Sequence, residues 1–249
     1  MGSDPIQLVA ERLAASGHTV VLTGSGTSAE SGVPTFRDAQ TGLWAKYRPE
    51  DLATPEAFAR NPEFVWDWYQ WRRSIIADVQ PNAGHHAIAE LARRATSLTL
   101  ITQNVDGLHQ RAGSEHVIEF HGNIMRSKCA DRGCRAEVHP GDDTSPPRCP
   151  DCGGALRPDV VWFGEPIPEA ALEASLRAVG TCDLMVVAGT SAQVQPAASL
   201  ATAAVERGAC LVEINPESTP LTAIADFVLA GPSGRILPAL VEALGSENA

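Results

Sequence analysis

Four times along this chain, a short apolar run rich in β-branched residues stops abruptly at small or polar side chains. His18–Thr23 runs into Gly24-Ser-Gly-Thr-Ser-Ala29, and Leu98–Thr102 into Gln103-Asn-Val-Asp106. Asp183–Ala188 runs into Gly189-Thr-Ser191, and Cys210–Ile214 into Asn215-Pro-Glu217. Such runs suit strands buried on both faces of a parallel sheet. Stretches with helical spacing lie between and around them, at 6–16, from Asn82 to Arg94, at 168–180, at 196–208 and from Ile236 to Leu244. The alternation predicts a doubly wound, Rossmann-like α/β fold. In an open parallel sheet, ligands bind outside the carboxyl ends of the strands. Gln103, Asn104 and Asp106 are therefore placed to hold a polar ligand. A plain Asn-Val-Asp-Gly turn is the competing reading, because Asn, Asp and Gly form turns for purely local reasons.

The first of these turns has the Gly-x-Gly-x-x-Ala pattern of a dinucleotide site, with Gly24, Gly26 and Ala29 in register. Glycines let a backbone approach a pyrophosphate, and free N–H groups of the following helix are expected to face the anion. A dehydrogenase would continue into a second strand with an acidic residue about 20 positions on. Here Val33-Pro-Thr-Phe-Arg37 and a Gly-Leu-Trp44 turn follow, and then a helical region from Thr54 to Val79, with Asp51 preceded by no strand. A helical insertion interrupts the fingerprint, which counts against an NAD-dependent oxidoreductase. Thr54-Pro-Glu56 and Asn61-Pro-Glu63 both read as helix starts, with an N-cap followed by Pro at the first helical position.

Within that insertion, Tyr69 and Arg72 are three residues apart and share a helix face. A phenol beside a guanidinium makes a carboxylate receptor, since Arg offers a planar fork of donors. The alternative is an aromatic helix that buries its tryptophans and leaves Arg72 solvated. Val117–Phe120 forms a further short strand, and His121-Gly122 follows it, where an imidazole could serve as a base near pH 7. Val160–Gly164 reads as a β-rich run ending in Gly164-Glu-Pro166, and Phe227–Leu229 as a last strand.

Cys129-x4-Cys134-x14-Cys149-x2-Cys152 forms two close cysteine pairs, with Gly133, Gly153 and Gly154 available for the tight turns. Four thiolates satisfy tetrahedral Zn²⁺ and leave no open position, so this is a structural site. No basic segment followed by an apolar run opens the chain, and no stretch is long and apolar enough to span a bilayer, so a cytoplasmic protein is expected. That compartment disfavours two disulfides in place of the metal. A formal charge of −11 argues against a phosphate-tracking surface, hence against nucleic acid as a direct partner of the zinc ribbon.

Taken in order, these motifs closely resemble the sirtuin family of NAD-dependent protein-lysine deacylases. The residues that carry the resemblance are Gly24 to Arg37, Thr102 to Asp106, His121-Gly122, the four cysteines, Val161-Trp-Phe-Gly-Glu165, Gly189-Thr-Ser191 and Asn215-Pro-Glu217. The resemblance implies a Rossmann-like domain at 1–34, 85–122 and 158–249, and a cofactor loop with helical insertion at 35–84. A zinc-ribbon domain at 123–157 completes the division. NAD and an acyl-lysine protein substrate would meet between the domains.

Carried over by position, the resemblance places NAD on Gly24, Ser25, Gly26, Ser28, Ala29, Phe36, Arg37 and Trp44, with Gln103 on a ribose. Asn104, Val105 and Asp106 would hold the nicotinamide, and His121 would be the general base, with Asn104 and Asp106 sharing in catalysis. Gly189, Thr190, Ser191, Asn215, Pro216, Glu217 and Ser233 would surround the adenosine half. Val161, Phe163, Gly164 and Glu165 resemble a strand that pairs with the substrate backbone. Tyr69 and Arg72, with Thr35 where many sirtuins carry Asp, resemble the branch that removes succinyl and malonyl groups. Ser25 and Gln195 depart from the family's usual Ala and Tyr.

Overall fold

A computed structural model describes residues 4–34, 46–131, 133–134, 137–138 and 145–245. In chain order the elements are α1 (Pro5–Ala15), β1 (Thr19–Thr23), α2 (Gly26–Ala29), α3 (Pro49–Leu52), α4 (Pro55–Arg60) and α5 (Pro62–Asp78). Then come α6 (Ala83–Arg94), β2 (Leu98–Thr102), α7 (Leu108–Arg111), β3 (Ile118–Glu119), β4 (Gly122–Cys129), β5 (Glu137–Val138) and β6 (Leu156–Val160). The chain continues through α8 (Glu169–Thr181), β7 (Leu184–Ala188), α9 (Ala197–Glu206), β8 (Cys210–Asn215), β9 (Phe227–Ala230) and α10 (Ser233–Gly245).

The larger sheet is six-stranded and parallel, in the order β3-β2-β1-β7-β8-β9. The chain winds outward from β1 through β2 to β3, then returns to the other side of β1 with β7. The strand order reverses there, so a crevice opens at the carboxyl ends of β1 and β7. Alternation along the buried strands sorts the core onto two faces. Val20, Leu22, Met185, Val187 and Leu211 pack on one side with residues of α8 and α9. Val21, Leu184, Val186 and Val212 pack on the other with residues of α1, α6 and α10.

Local chemistry fixes the helix starts. Asp4 accepts from the Ile6 amide at 3.1 Å with Pro5 behind it, Thr54 accepts from Ala57 at 3.1 Å, and Asn61 accepts from Phe64 at 3.2 Å. α10 begins three residues before the expected Ile236. The amides of Arg235 and Ile236 both reach the Pro232 carbonyl, so the turn is already helical ahead of Pro238.

The second sheet has three antiparallel strands in the order β5-β4-β6. Its strand β6 corrects the expected β run at 160–164, because pairing ends at Val160 and the following residues turn away. The Val161 amide goes to the His121 carbonyl, Phe163 to Ala53, and Glu165 back to Trp162, while Gly164 adopts φ +81°. That closes a turn around a left-handed glycine. α5 docks on this sheet through Arg73, which donates to the carbonyls of Ile124 at 2.6 Å and Arg126 at 2.8 Å. Among the described residues, no helix is long and apolar enough to cross a membrane.

Candidate active site

The crevice at the sheet's switch point is floored by a buried polar network. Ser28 lies in α2, and its hydroxyl donates to Asp106 Oδ2 at 2.7 Å; the Leu108 amide donates to Asp106 Oδ1 at 2.9 Å. Asn104 Nδ2 donates to Ser28 Oγ at 3.1 Å and to Thr27 Oγ1 at 3.0 Å. Both amide hydrogens of Asn104 are thereby committed. Its Oδ1 meets no donor among the described residues, so it is the atom this side chain offers to a ligand. Burial raises the Asp106 carboxyl above its ordinary range, against the pull of the Leu108 and Ser28 bonds and the Arg72 charge.

His85 completes this network and was not singled out from the sequence. Its Nδ1 accepts from the Asn82 amide at 3.2 Å, so Nε2 carries the proton and faces Ser28 Oγ at 3.3 Å. Burial pushes His85 down to about 4, with the charge of His86 acting the same way. The ring is therefore a neutral donor that orients the serine hydroxyl toward Asp106. The signal lay in Asn82-Ala-Gly-His85, where Asn82 and His85 form a reciprocal cap at the start of α6. His109 is buried beside it, with ring centroids 4.8 Å apart, and burial pushes it down to about 3.

The glycine turn departs from expectation. The amides of Gly24, Gly26, Thr27 and Ser28 are all paired within the chain, to Ala188, Gly189, Gly24 and Ser25 respectively. They are not free anion donors, because the turn is clamped against the end of β7. A Cβ on Gly26 would sit 2.7 Å from the Gly189 carbonyl oxygen, and Gly189 itself has φ +61°. Here glycine serves contact between two turns. Ser25 is exposed and makes no capping bond, and Ala29 is exposed beyond it.

Gln103 Nε2 donates to Thr190 Oγ1 at 3.1 Å, and Asn215 Nδ2 donates to the Thr190 carbonyl at 2.7 Å. The ends of β2, β7 and β8 are thus tied together around Thr190, with Ser191 half-buried alongside. Pro216 and Glu217 are exposed. Ser233 is buried, and its Oγ has no partner among the described residues. Val105 is half-buried, and its carbonyl accepts from Ile124. Thr35, Phe36, Arg37 and Trp44 lie outside the described residues.

His121 stands at the seam between the two sheets. Its Nδ1 lies 3.1 Å from the Gln103 carbonyl oxygen, which can only accept. Nδ1 therefore holds the proton, and Nε2 keeps its lone pair. Burial lowers the imidazole from its ordinary value, partly offset by that bond, so the ring is neutral at pH 7.

Tyr69 and Arg72 share a face of α5. Tyr69 is 3% exposed, and its hydroxyl accepts from Trp162 Nε1 at 2.8 Å. Arg72 is half-buried over the Trp68 ring, neither a solvated surface cation nor a deep core residue. Burial pulls its guanidinium down from the usual range, opposed by Tyr69 and by Asp106. Arg72 is therefore within electrostatic reach of the polar floor. Phe163 and Gly164 are exposed, and Val161 is half-buried. The Glu165 carboxylate turns inward onto Arg157 at 2.6 and 2.8 Å and accepts from the Trp162 amide at 2.9 Å. Val161, Trp162 and Glu165 also wall a groove of about 1040 Å³ on the ribbon side, which residues 24–30 and 103–106 do not line.

The sulfurs of Cys129, Cys134, Cys149 and Cys152 lie within 4.8 Å of one another, with 129–152 at 3.4 Å and 134–149 at 3.6 Å. A Zn²⁺ bound to four thiolates at about 2.3 Å sets its sulfurs roughly 3.8 Å apart. The donor set and spacing fit one such ion. Amides of Asp131 and Gly154 approach Cys129 and Cys152 Sγ at 3.4 Å, which supports the thiolate form.

The Sir2 family profile matches residues 24–196. Over 234 residues the chain is 53% identical to NAD-dependent protein deacylase 2 of Pyrobaculum aerophilum, covering 94% of each. The crystal structure of a Sir2 homolog–NAD complex matches with a TM-score of 0.91 at 46% identity, covering 100% of this chain and 96% of that one. Sir2Af2 bound to a myristoylated histone peptide matches with a TM-score of 0.79 at 35% identity, covering 99% of each chain. The profile spans more than half of the chain and these relatives match nearly all of it, so the chain belongs to the Sir2 family.

Proposed function

We propose that this chain removes acyl groups from protein lysines with NAD as co-substrate, releasing nicotinamide and an O-acyl-ADP-ribose. We further propose that it favours acyl groups ending in a carboxylate, succinyl and malonyl, with acetyl also turned over. The observation that carries the reaction is His121, a neutral imidazole with its lone pair at Nε2, at the seam beside the Asn104–Asp106 floor. When bound, NAD supplies a ribose carbon that becomes electrophilic as nicotinamide leaves. Asn104 Oδ1 accepts a hydrogen bond from the ligand while Thr27 and Ser28 hold its amide in place. Asp106 is fixed by Ser28 and Leu108, and with Asn104 it would hold the nicotinamide amide. His121 takes a proton at Nε2 from a ribose hydroxyl, which makes that oxygen nucleophilic.

The acidic-acyl preference rests on Tyr69 and Arg72 lying on one face of α5, with Arg72 close enough to act on Asp106. A carboxylate docked there would orient the acyl chain toward the floor before chemistry. Substrate backbone pairing would use carbonyls of the 161–165 turn, since the Val161 and Phe163 amides are already spent. The division at 1–34, 85–122 and 158–249, with insertion and ribbon between, belongs to the same reading; the two separate sheets support it in outline, although Gly122 and residues 158–160 pair within the ribbon sheet. A cytoplasmic location is supported by the four thiols, which a reducing compartment keeps competent for metal.

The test compares turnover of acetyl-lysine and succinyl-lysine peptides by the parent and Arg72→Met, with products identified by mass spectrometry. Arg72→Met is expected to lower succinyl kcat/KM at least tenfold relative to acetyl. An unchanged ratio would remove the carboxylate-receptor role. Failure to form any O-acyl-ADP-ribose would remove the deacylase reading itself.

A further inference from the structure

Tyr69 is not placed by α5 alone. Its hydroxyl receives the indole N–H of Trp162, at 2.8 Å, with both residues buried. An indole nitrogen can only donate. The phenol must therefore accept in that bond, and its own proton points elsewhere. Among the described residues, that proton has no acceptor. We infer that Trp162 is a specificity-positioning residue, whose N–H turns the Tyr69 hydroxyl into a dedicated donor for an acyl carboxylate. The inference rests on the carboxylate-receptor reading above.

The indole is itself held from three sides. Arg157 Cζ stacks 3.3 Å from the Trp162 ring centroid. Glu165 pairs with Arg157 and takes the Trp162 backbone amide, so ring and main chain are gripped by one ion pair. Arg157 is buried and Glu165 nearly so, with side-chain exposures of 7% and 13%. A buried pair of this kind is weak evidence for stability but good evidence for a fixed geometry. Phe58 packs on the same ring at 5.3 Å between centroids. Arg157 lies on β6 of the ribbon sheet and Tyr69 on α5 of the insertion, so Trp162 transmits the ribbon's geometry to the acyl end of the cleft. A phenol free to rotate would spend part of its time donating in unproductive directions; a phenol held by a donor-only neighbour does not.

Trp162→Phe keeps an aromatic ring and removes the donor together with part of the indole's packing surface, a loss that falls on both substrates and leaves the ratio to report the donor. It is expected to lower the succinyl-to-acetyl ratio of kcat/KM about tenfold, chiefly through a raised KM for the succinyl-lysine peptide. Tyr69→Phe is expected to do the same, and the double variant to be no worse than Tyr69→Phe alone. A purely structural tryptophan would depress both substrates together and leave the ratio unchanged; that result, or additive losses in the double variant, overturns the inference. If Arg72→Met changes the ratio and Trp162→Phe does not, only this inference fails. If neither changes it, the carboxylate-receptor reading has failed. The parent and Tyr69→Phe proteins give a second readout, independent of whether Trp162→Phe folds. The five tryptophans give at most five indole N–H resonances. One must shift in Tyr69→Phe, and the same one must respond to succinyl-lysine peptide and not to acetyl-lysine peptide. No such resonance would refute the bond's role.

Discussion

The two sheets of this protein are held together by different physics, and the candidate active site lies where they meet. The six-stranded sheet buries apolar side chains on both faces, with β1 and β7 almost wholly out of water. Each such large side chain contributes roughly 1.5–3 kcal/mol on burial. The ribbon sheet is divided: Ile124 and Val160 pack into the cluster of the helical insertion, whereas its cysteine end has a much thinner core of Trp66 from α5, Leu156, Cys129 and Cys149. A cluster that size cannot offset the cost of ordering its loops, so the four sulfurs and their ion do that work. The difference teaches where each sheet can fail. The first loses stability gradually as packing is damaged; the cysteine end of the second depends on one ion.

The largest expected effect follows directly. Removing zinc with a chelator, or making Cys149→Ser, should abolish amide-exchange protection across β4 and β6 while β1, β7 and β8 keep theirs. Deacylation should fall at least a hundredfold, because Trp162 and His121 both hang from the β4–β6 seam through the Val161-to-His121 bond. Hydrogen exchange read by mass spectrometry separates the sheets. Equal loss of protection in both would show that they fold as one unit and would break the comparison.

Next comes the seam itself. His121→Tyr should lower kcat by about 10³-fold, within the usual range for a positioned general base, with little change in protection of either sheet. In the parent, kcat/KM should fall on the acid side with a midpoint below 6.5, since burial lowers the imidazole and its neutral form is the reactive one. A midpoint above 6.5, or an active His121→Tyr, would displace His121 from the base role.

How legible this was depends on which physics wrote each part. Strands of the large sheet are buried on both faces, so β1 and β7 appear in sequence as unbroken apolar runs. β4 reads Gly-Asn-Ile-Met-Arg-Ser-Lys-Cys, and β6 carries Arg157, Pro158 and Asp159. A strand stabilised by a metal and by ion pairs such as Arg126–Asp159 and Lys128–Asp159 has no apolar signature, so the sequence pattern points to 160–164 whereas the strand is 156–160. The cysteines were legible because metal spacing is local. His85 was not, because it acts on Ser28 across 57 positions of sequence. Nor was the clamp on Trp162, which needs three elements folded together.

The third effect is smaller and sharpens the large sheet's side of the comparison. His85 and His109 are buried neutral, at about 4 and about 3 against an unfolded value near 6.5. Because both folded values are depressed, the unfolded chain binds more protons below 6.5. Stability is therefore complete above 6.5 and is lost as pH falls toward 4 and 3. Between pH 7.5 and 5, urea unfolding should show roughly 2–4 kcal/mol less stability from these two rings. His109→Gln should flatten that slope. An unaltered slope would mean that the rings are protonated in the folded state.

The smallest effect concerns Ser25 in the glycine turn. Ser25 is exposed, sits at helical φ −60° and ψ −23°, and makes no capping bond, so its hydroxyl contributes nothing visible to the turn. The turn is fixed instead by backbone contact, Gly24 to Ala188 and Gly26 to Gly189. Ser25→Ala should change unfolding free energy by less than about 0.5 kcal/mol, the usual size for an exposed position. Any role left to the hydroxyl must then be toward the cofactor, and KM for NAD reads it in isolation. A change within twofold would show that the turn binds through its shape alone; a rise of fivefold or more would place the Ser25 hydroxyl on the NAD phosphates.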